Sequence, residues 1–339
     1  EEGFSGVSES RPPAGLLYVA APLVEHGIDV AIVDTPVEKN WKERLLSLLD
    51  DGTVCVGITA LTGDMILNGI RIIKFIRENS KVDIPIVWGG VHPSVAIKST
   101  IASEHVDIIV RAEGEESFLE LVQALKNRKS LEAIPWIVYK KDGKVFNNGL
   151  RLPYDLNKLP TLPLHLVDLN NYRNHPQLNN WFRFTSPVAI NFETSRGCPW
   201  RCTYCTIATE GYRGGSKWRG MTAQNIVDRV EYHVKEHSIN AFAFVDDLFF
   251  TNMNRVKVFL DELEKRELDI EWFADCRMDL IYKKMDISFL QRLDRLGCRS
   301  LTIGIESGSD RMLKYMQKGV TRKIYIEGNR MLANTTITS

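Results

Sequence analysis

The sequence predicts an α/β protein built in two parts, a doubly wound parallel sheet followed by a partial (β/α) barrel. Three observations carry this. Val- and Ile-rich runs alternate with amphipathic stretches from about residue 14 to 150, a proline-rich segment interrupts them over 151–187, and strand–helix alternation resumes over 188–339.

In the first part the strand candidates are Ile28–Val33, Val54–Thr59, Ile84–Trp88, Asp107–Val110 and Trp136–Tyr139, with helices near 15–25, 40–50, 65–79 and 115–126. Each strand is short and β-branched, as a parallel strand covered on both faces should be. A polar opening, Glu1 to Arg11, runs into a helix at Pro12-Pro13-Ala14 with no strand before it, so a first strand is expected upstream. Residues 1–150 thus read as a Rossmann-like domain. Prolines at 153, 160, 163, 176 and 187 forbid long regular elements, and 151–187 reads as a linker.

The second part opens on a strand at Ala189–Glu193 and the cysteine cluster. A helix over 223–237 follows, with Thr222 as its cap. Strands Phe242–Val245, Glu271–Ala274 and Leu301–Ile305 then alternate with helices 254–266, 287–296 and 321–332. Four such units predict part of a TIM-type barrel, and a full barrel would want more strands beyond residue 339.

Composition narrows the function classes. Forty-three basic residues balance forty-three acidic ones, so no charge excess points to nucleic acid. No apolar run reaches the roughly 18 residues of a membrane span, and the chain is expected to be cytoplasmic. Cysteines stand at 55, 198, 202, 205, 276 and 298; a disulfide framework would not crowd three within eight residues, whereas a metal site in a reducing compartment would.

Cys198-x-x-x-Cys202-x-x-Cys205 directly follows a strand and supplies three soft ligands able to converge on one metal centre. No neighbouring Cys or His offers a fourth ligand. A zinc knuckle would need a distant one, while a cubane held by three cysteines keeps one iron open. Cys55, Cys276 and Cys298 are expected to be packed thiols.

The stretch Cys198-Pro199-Trp200-Arg201-Cys202-Thr203-Tyr204-Cys205 resembles the signature of the radical SAM superfamily. The resemblance implies a 4Fe-4S cluster whose open iron chelates S-adenosylmethionine, reductive C–S cleavage, and a 5′-deoxyadenosyl radical that takes hydrogen from a small-molecule substrate. It also implies an external electron donor such as a flavodoxin or ferredoxin. Tyr204 is expected against the adenine. Polar residues at the other strand ends are the further candidate contacts: Asp246 or Asp247 for the ammonium group, Arg277, and Glu306 with Ser307 for the ribose or carboxylate. The Gly-Gly-Glu form of many relatives is missing, which leaves the choice of aspartate open.

In the first part, Thr59-Ala60-Leu61, Gly89-Gly90-Val91-His92 and Glu113-Gly114 leave predicted strand ends. In this order ahead of the cluster they resemble the cobalamin-binding domain of one radical SAM subfamily, and Thr59, Leu61, Gly89, Gly90, His92, Glu113 and Gly114 become candidate cobalamin contacts. The Asp-x-His-x-x-Gly histidine of other cobalamin-binding domains is absent. The implied function is a cobalamin-dependent methyltransferase acting on an unactivated carbon or phosphorus. A cobalamin-dependent cyclase, oxidase or rearrangement enzyme is one alternative, and a non-catalytic iron–sulfur electron-transfer protein is the other.

Overall fold

The computed structural model describes residues 11–208 and 217–339. Its contacts divide the chain into two compact units, one over Pro13–Asn171 and a second that begins at Tyr172.

The first unit is a five-stranded sheet in the order β1 (Val56–Thr59), β2 (Ile86–Gly89), β3 (Ile108–Val110), β4 (Ile137–Lys141) and β5 (Lys144–Asn147). Strands β1, β2 and β3 are parallel, and helices Asp64–Asn79 and Gly114–Lys126 return the chain between successive strands. Trp88, Ile73, Ile86 and Ile109 are buried on one side of the sheet, Val87, Ile108 and Leu121 in a second cluster.

Two expectations are corrected. Ile28–Val33 alternates in burial like a strand but pairs with no strand among the described residues. Its hydrophobic pattern reports which side chains pack, not whether a neighbour completes the ladder. The strand expected at Trp136–Tyr139 exists as β4, but it runs antiparallel to β3 and forms a hairpin with β5. The turn is Asp142-Gly143, both at positive φ (50° and 71°), the geometry and sequence of a tight hairpin. Short helices at Val91–Val95 and Ile97–Ala102 were also not foreseen.

The second unit carries four parallel strands in the order β11 (Cys298–Ile303), β10 (Glu271–Cys276), β9 (Ala241–Phe244) and β6 (Ala189–Phe192); the pair β7 (Ser195–Arg196) and β8 (Arg219–Gly220) flanks the cysteine loop. Helices Ala223–His237, Met253–Lys265 and Ile287–Arg295 alternate with the parallel strands, and the Thr222 side chain caps the first by accepting from Asn225 N–H. Helices Met278–Lys284 and Asp310–Tyr315 are additional to the predicted set.

The two faces of this sheet differ. Phe192, Phe242, Phe244, Trp272, Phe249 and Phe259 are buried in one edge-to-face and stacked ring cluster. On the other face Ala189, Ala241, Ala243 and Phe273 pack against Leu178 and Phe184 near the amino ends. Toward the carboxyl ends that face turns polar. Asp275 lies two residues beyond Phe273 and is paired in register with Thr302 of β11.

Gly297, at the entry to β11, has φ +86°, and a Cβ there would lie 1.8 Å from the Ile270 carbonyl oxygen. Its own carbonyl accepts from Trp272 N–H at 2.8 Å. A Gly297→Ala chain must therefore separate β10 from β11, and we expect a loss of about 2 kcal/mol or more, read as a lowered urea midpoint against the parent chain. An unchanged midpoint would refute the close approach.

Candidate active site

The cysteine loop leaves the carboxyl end of β6, where two consecutive aspartates after β9 hold it. Asp246 is 1% exposed. It accepts from Thr194 N–H and Oγ1–H at 2.5 Å each and from Ser195 Oγ–H at 2.6 Å, with the Arg255 guanidinium 3.5 Å away. Burial pushes its carboxyl upward, against the Arg255 charge and these hydrogen bonds. Asp247 is half-buried and accepts from Gly197 N–H at 2.6 Å, one residue before Cys198. The paired acids thus separate: Asp246 is consumed in building the loop, while Asp247 both grips the loop and keeps partial access to solvent.

Cys202 is buried, and Cys198 and Cys205 are half-buried. Among the described residues no three His, Cys, Asp or Glu side chains form a preassembled cage for a single metal ion. A cubane spreads its thiolates over different irons, and a donor set of three thiols on one short loop fits it. Burial pushes the Cys198 thiol up, opposed by a backbone hydrogen bond from Trp200 and the Arg277 charge, both of which favour thiolate.

Arg277, directly after β10, is 8% exposed. One guanidinium nitrogen lies 3.8 Å from Cys202 Sγ, a second donates to the Lys318 carbonyl at 2.5 Å, and Nε donates to Asp279 at 2.9 Å. Its Cζ sits over the Trp200 ring, 4.5 Å from the ring centre. Beyond β11, Glu306 adopts the left-handed region at φ +61°, a strained conformation for a side-chain-bearing residue. Lys318, 7% exposed, donates to Glu306 Oε1 at 3.0 Å and to Tyr204 Oη at 2.9 Å. The Lys318 ammonium holds the Glu306 carboxyl below the usual range. Ser307 Oγ accepts from Ser309 N–H in the same turn.

Tyr204, Asp247, Arg277 and Glu306 therefore gather around the cysteine loop, whereas Asp246 lies beneath it. Lys318 was missed by sequence reading because a Lys-Gly pair after a helix reads as an ordinary helix end. Asp275 was missed because a single acid within a strand carries no motif. Burial, the Asp246 and Asp247 charges, and a counteracting hydrogen bond from Thr302 leave its carboxyl raised to about 7. Cys276 and Cys298 are buried thiols pushed upward by burial, and burial pushes Cys55 up to about 12.

In the first unit the loops after β1 and β2 interlock. Ala60 N–H donates to Gly89, His92 N–H donates to the Ala60 carbonyl, and Thr62 Oγ1 bonds His92 Nδ1, each at 3.0 Å. Gly90 has φ +95°, and a Cβ there would stand 2.9 Å from the Ala60 oxygen and 3.0 Å from Thr59 Oγ1. Leu61 and Leu67 remain more than half exposed beside this knot, apolar surface of the kind a flat macrocycle covers. Glu113 instead is buried and accepts from Tyr154 N–H at 3.1 Å. At Gly114 a Cβ would approach Val19 Cγ1 to 3.1 Å, so this glycine serves helix packing.

A thiol triplet at the carboxyl edge of parallel barrel strands, ringed by charged strand-end residues, defines a metal-cluster site of the barrel-enzyme kind. Family comparison makes this specific. The radical SAM superfamily profile matches residues 192–339, and the B12 binding domain profile matches residues 7–122. The chain belongs to the radical SAM superfamily and carries a B12 binding domain ahead of that core.

An uncharacterized methyltransferase of Pyrococcus horikoshii is 30% identical over 319 residues, covering 93% of this chain and 65% of the relative. An anaerobic magnesium-protoporphyrin IX monomethyl ester cyclase of a Synechocystis species is 26% identical, covering 98% of this chain and 64% of its own length. The chain thus spans less than two-thirds of these curated relatives. The structure of the cobalamin-dependent S-adenosylmethionine radical enzyme OxsB, with aqua-cobalamin and S-adenosylmethionine bound, superposes with a TM-score of 0.76 at 22% identity, over 96% of this chain and 46% of that one.

The elevated carboxyl of Asp275 yields a pH prediction. Its unfolded value is 3.8 and its folded value about 7, so the native state holds the proton more tightly and stability falls as pH rises through this window. About three pKa units at ~1.4 kcal/mol each set an upper bound of ~4 kcal/mol. Asp275→Asn should unfold at a higher temperature than the parent at pH 8, with the gap narrowing toward pH 4.5. A gap independent of pH would contradict this.

Proposed function

We propose that this chain reductively cleaves S-adenosylmethionine at a 4Fe-4S cluster ligated by Cys198, Cys202 and Cys205, as the core of a cobalamin-dependent methyltransferase acting on an unactivated carbon or phosphorus of a small molecule. The observation that supports it most is the cysteine loop itself, seated at the carboxyl ends of parallel strands between Asp247 and Arg277. When bound, the cluster supplies one electron to the sulfonium, and C–S cleavage yields methionine and a 5′-deoxyadenosyl radical.

The chain's own residues hold the reactants. Asp247, acidic and partly accessible, receives the ammonium group of the methionine moiety. Tyr204 lies half-exposed within the loop and presents its ring to the adenine, while the Glu306 carboxylate, steadied by Lys318, faces the ribose hydroxyls. Asp246 keeps the loop in place by consuming the donors of Thr194 and Ser195. In the first unit the Gly89-Gly90 turn, with Leu61, Thr59 and His92, receives the corrin. His92, tied to Thr62 through Nδ1, would stand beside the corrin rather than in the Asp-x-His-x-x-Gly context that supplies a cobalt ligand elsewhere.

A second reading, a cobalamin-dependent cyclase, is favoured by the similarity to the magnesium-protoporphyrin IX ester cyclase. The two separate on where the methyl group goes.

The test is anaerobic reconstitution with iron, sulfide and cobalamin, followed by dithionite and S-adenosylmethionine labelled in its methyl group. The parent chain should show the broad visible absorption of thiolate-bound iron–sulfur charge transfer and release 5′-deoxyadenosine. Cys198→Ala, Cys202→Ala and Cys205→Ala should each lose both signals. Label recovered in a product supports methyl transfer; an unlabelled, rearranged product supports the cyclase. A full cluster without 5′-deoxyadenosine would leave an electron-transfer protein.

A further inference from the structure

Arg277 was expected to contact S-adenosylmethionine, yet all four of its contacts point elsewhere. Its guanidinium is buried, stacked at 4.5 Å on Trp200 of the cysteine loop, anchored at Nε by Asp279 and at one terminal nitrogen by the Lys318 carbonyl. The remaining terminal nitrogen faces Cys202 Sγ at 3.8 Å. The guanidinium cannot turn toward a ligand without breaking three of these contacts. Two of the residues involved, Trp200 and Cys202, belong to the cluster loop itself.

We infer that Arg277 is a positioning residue that sets the reduction potential of the cluster, by donating a hydrogen bond to the Cys202 sulfur and placing a buried positive charge beside it. The inference rests on the cluster assignment proposed above. Uptake of one electron adds one negative charge next to the guanidinium. A cation and a sulfur hydrogen bond both stabilise that more negative state, and burial keeps solvent from screening them. Asp279 has a double effect: it aims the guanidinium by holding Nε, and its carboxylate offsets part of the charge. Lysine could supply the charge but not the fork that reaches sulfur, Asp279 and a carbonyl together.

The readout is the midpoint potential of the reconstituted cluster, measured by dye-mediated titration followed by electron paramagnetic resonance. Iron and sulfide content are measured first. Arg277→Met should lower the ratio of reduced to oxidised cluster about tenfold at fixed potential, a downward shift of about 59 mV for one electron. Arg277→Lys should fall between the methionine variant and the parent. Asp279→Asn, which removes the opposing charge and keeps a hydrogen-bonding partner, should shift the potential upward.

Should Arg277→Met fail to hold a cluster, the lysine and Asp279→Asn variants decide the matter by the opposite signs of their shifts. Potentials equal to the parent's in fully loaded variants would overturn the inference and leave the cluster assignment standing. Failure of the parent chain itself to assemble a cluster would overturn both.

Discussion

The site in the second unit depends on one buried carboxylate. Asp246 has almost no solvent contact, and an isolated charge there would cost several kcal/mol. Its cost is offset by two hydroxyl donors, a backbone N–H and the Arg255 guanidinium, all from the first residues after β6 or the helix after β9. Arg255 in turn donates to the Thr194 hydroxyl and carbonyl and to the Phe249 carbonyl. Thr194 and Ser195 lie only a few residues before Cys198, so this network fixes the direction in which the cysteine loop departs. Asp247 then takes hold at Gly197, whose φ of +86° and approach to the Lys217 carbonyl exclude a side chain.

The fold was largely legible because hydrophobic spacing reports burial directly. All four barrel strands and the Thr222-capped helix fall within a few residues of their expected places, since the strands are short buried runs rich in apolar residues and the helix has a buried apolar stripe. What escaped depended on pairing rather than burial. Ile28–Val33 has the right side chains but no ladder partner among the described residues, and β4 has a strand's composition while running against β3. The Asp142-Gly143 turn was a readable signal for that reversal. Short helices such as Val91–Val95 and Met278–Lys284 offer too few residues for a periodicity to emerge.

Site residues divided along the same line. That the cysteines, Tyr204, Asp247 and Glu306 would be gathered at one end of the strands was legible because strand-end position and motif spacing are properties of the sequence. Lys318 was not. It reaches Tyr204 and Glu306 across 114 and 12 residues of chain, and only the packing of the helices after β11 brings it there. The roles of neighbours were equally hidden: Asp246 and Asp247 are adjacent and chemically identical, yet successive positions leaving a strand point to opposite sides, which buries one and leaves the other beside the loop.

That alternation also explains how stability and chemistry share the second unit. On one face of β6, β9 and β10 the rings of Phe192, Phe242, Phe244 and Trp272 are fully packed, and nothing there can move without loss of contact. On the other face the same strands are apolar only near their amino ends, and β6 and β10 carry Asn191 and Asp275 toward their carboxyl ends, where Thr302 of β11 pairs in register with Asp275. The side-chain oxygen of Asn191 is buried and finds no hydrogen-bond partner among the described residues, and Asp275 is held where ionisation is costly. Polar groups so placed weaken the barrel on its own account. Their position at the strand ends, beside a loop whose cysteines need thiolate chemistry, is where a barrel can carry such groups because the ring-packed face supplies the stability.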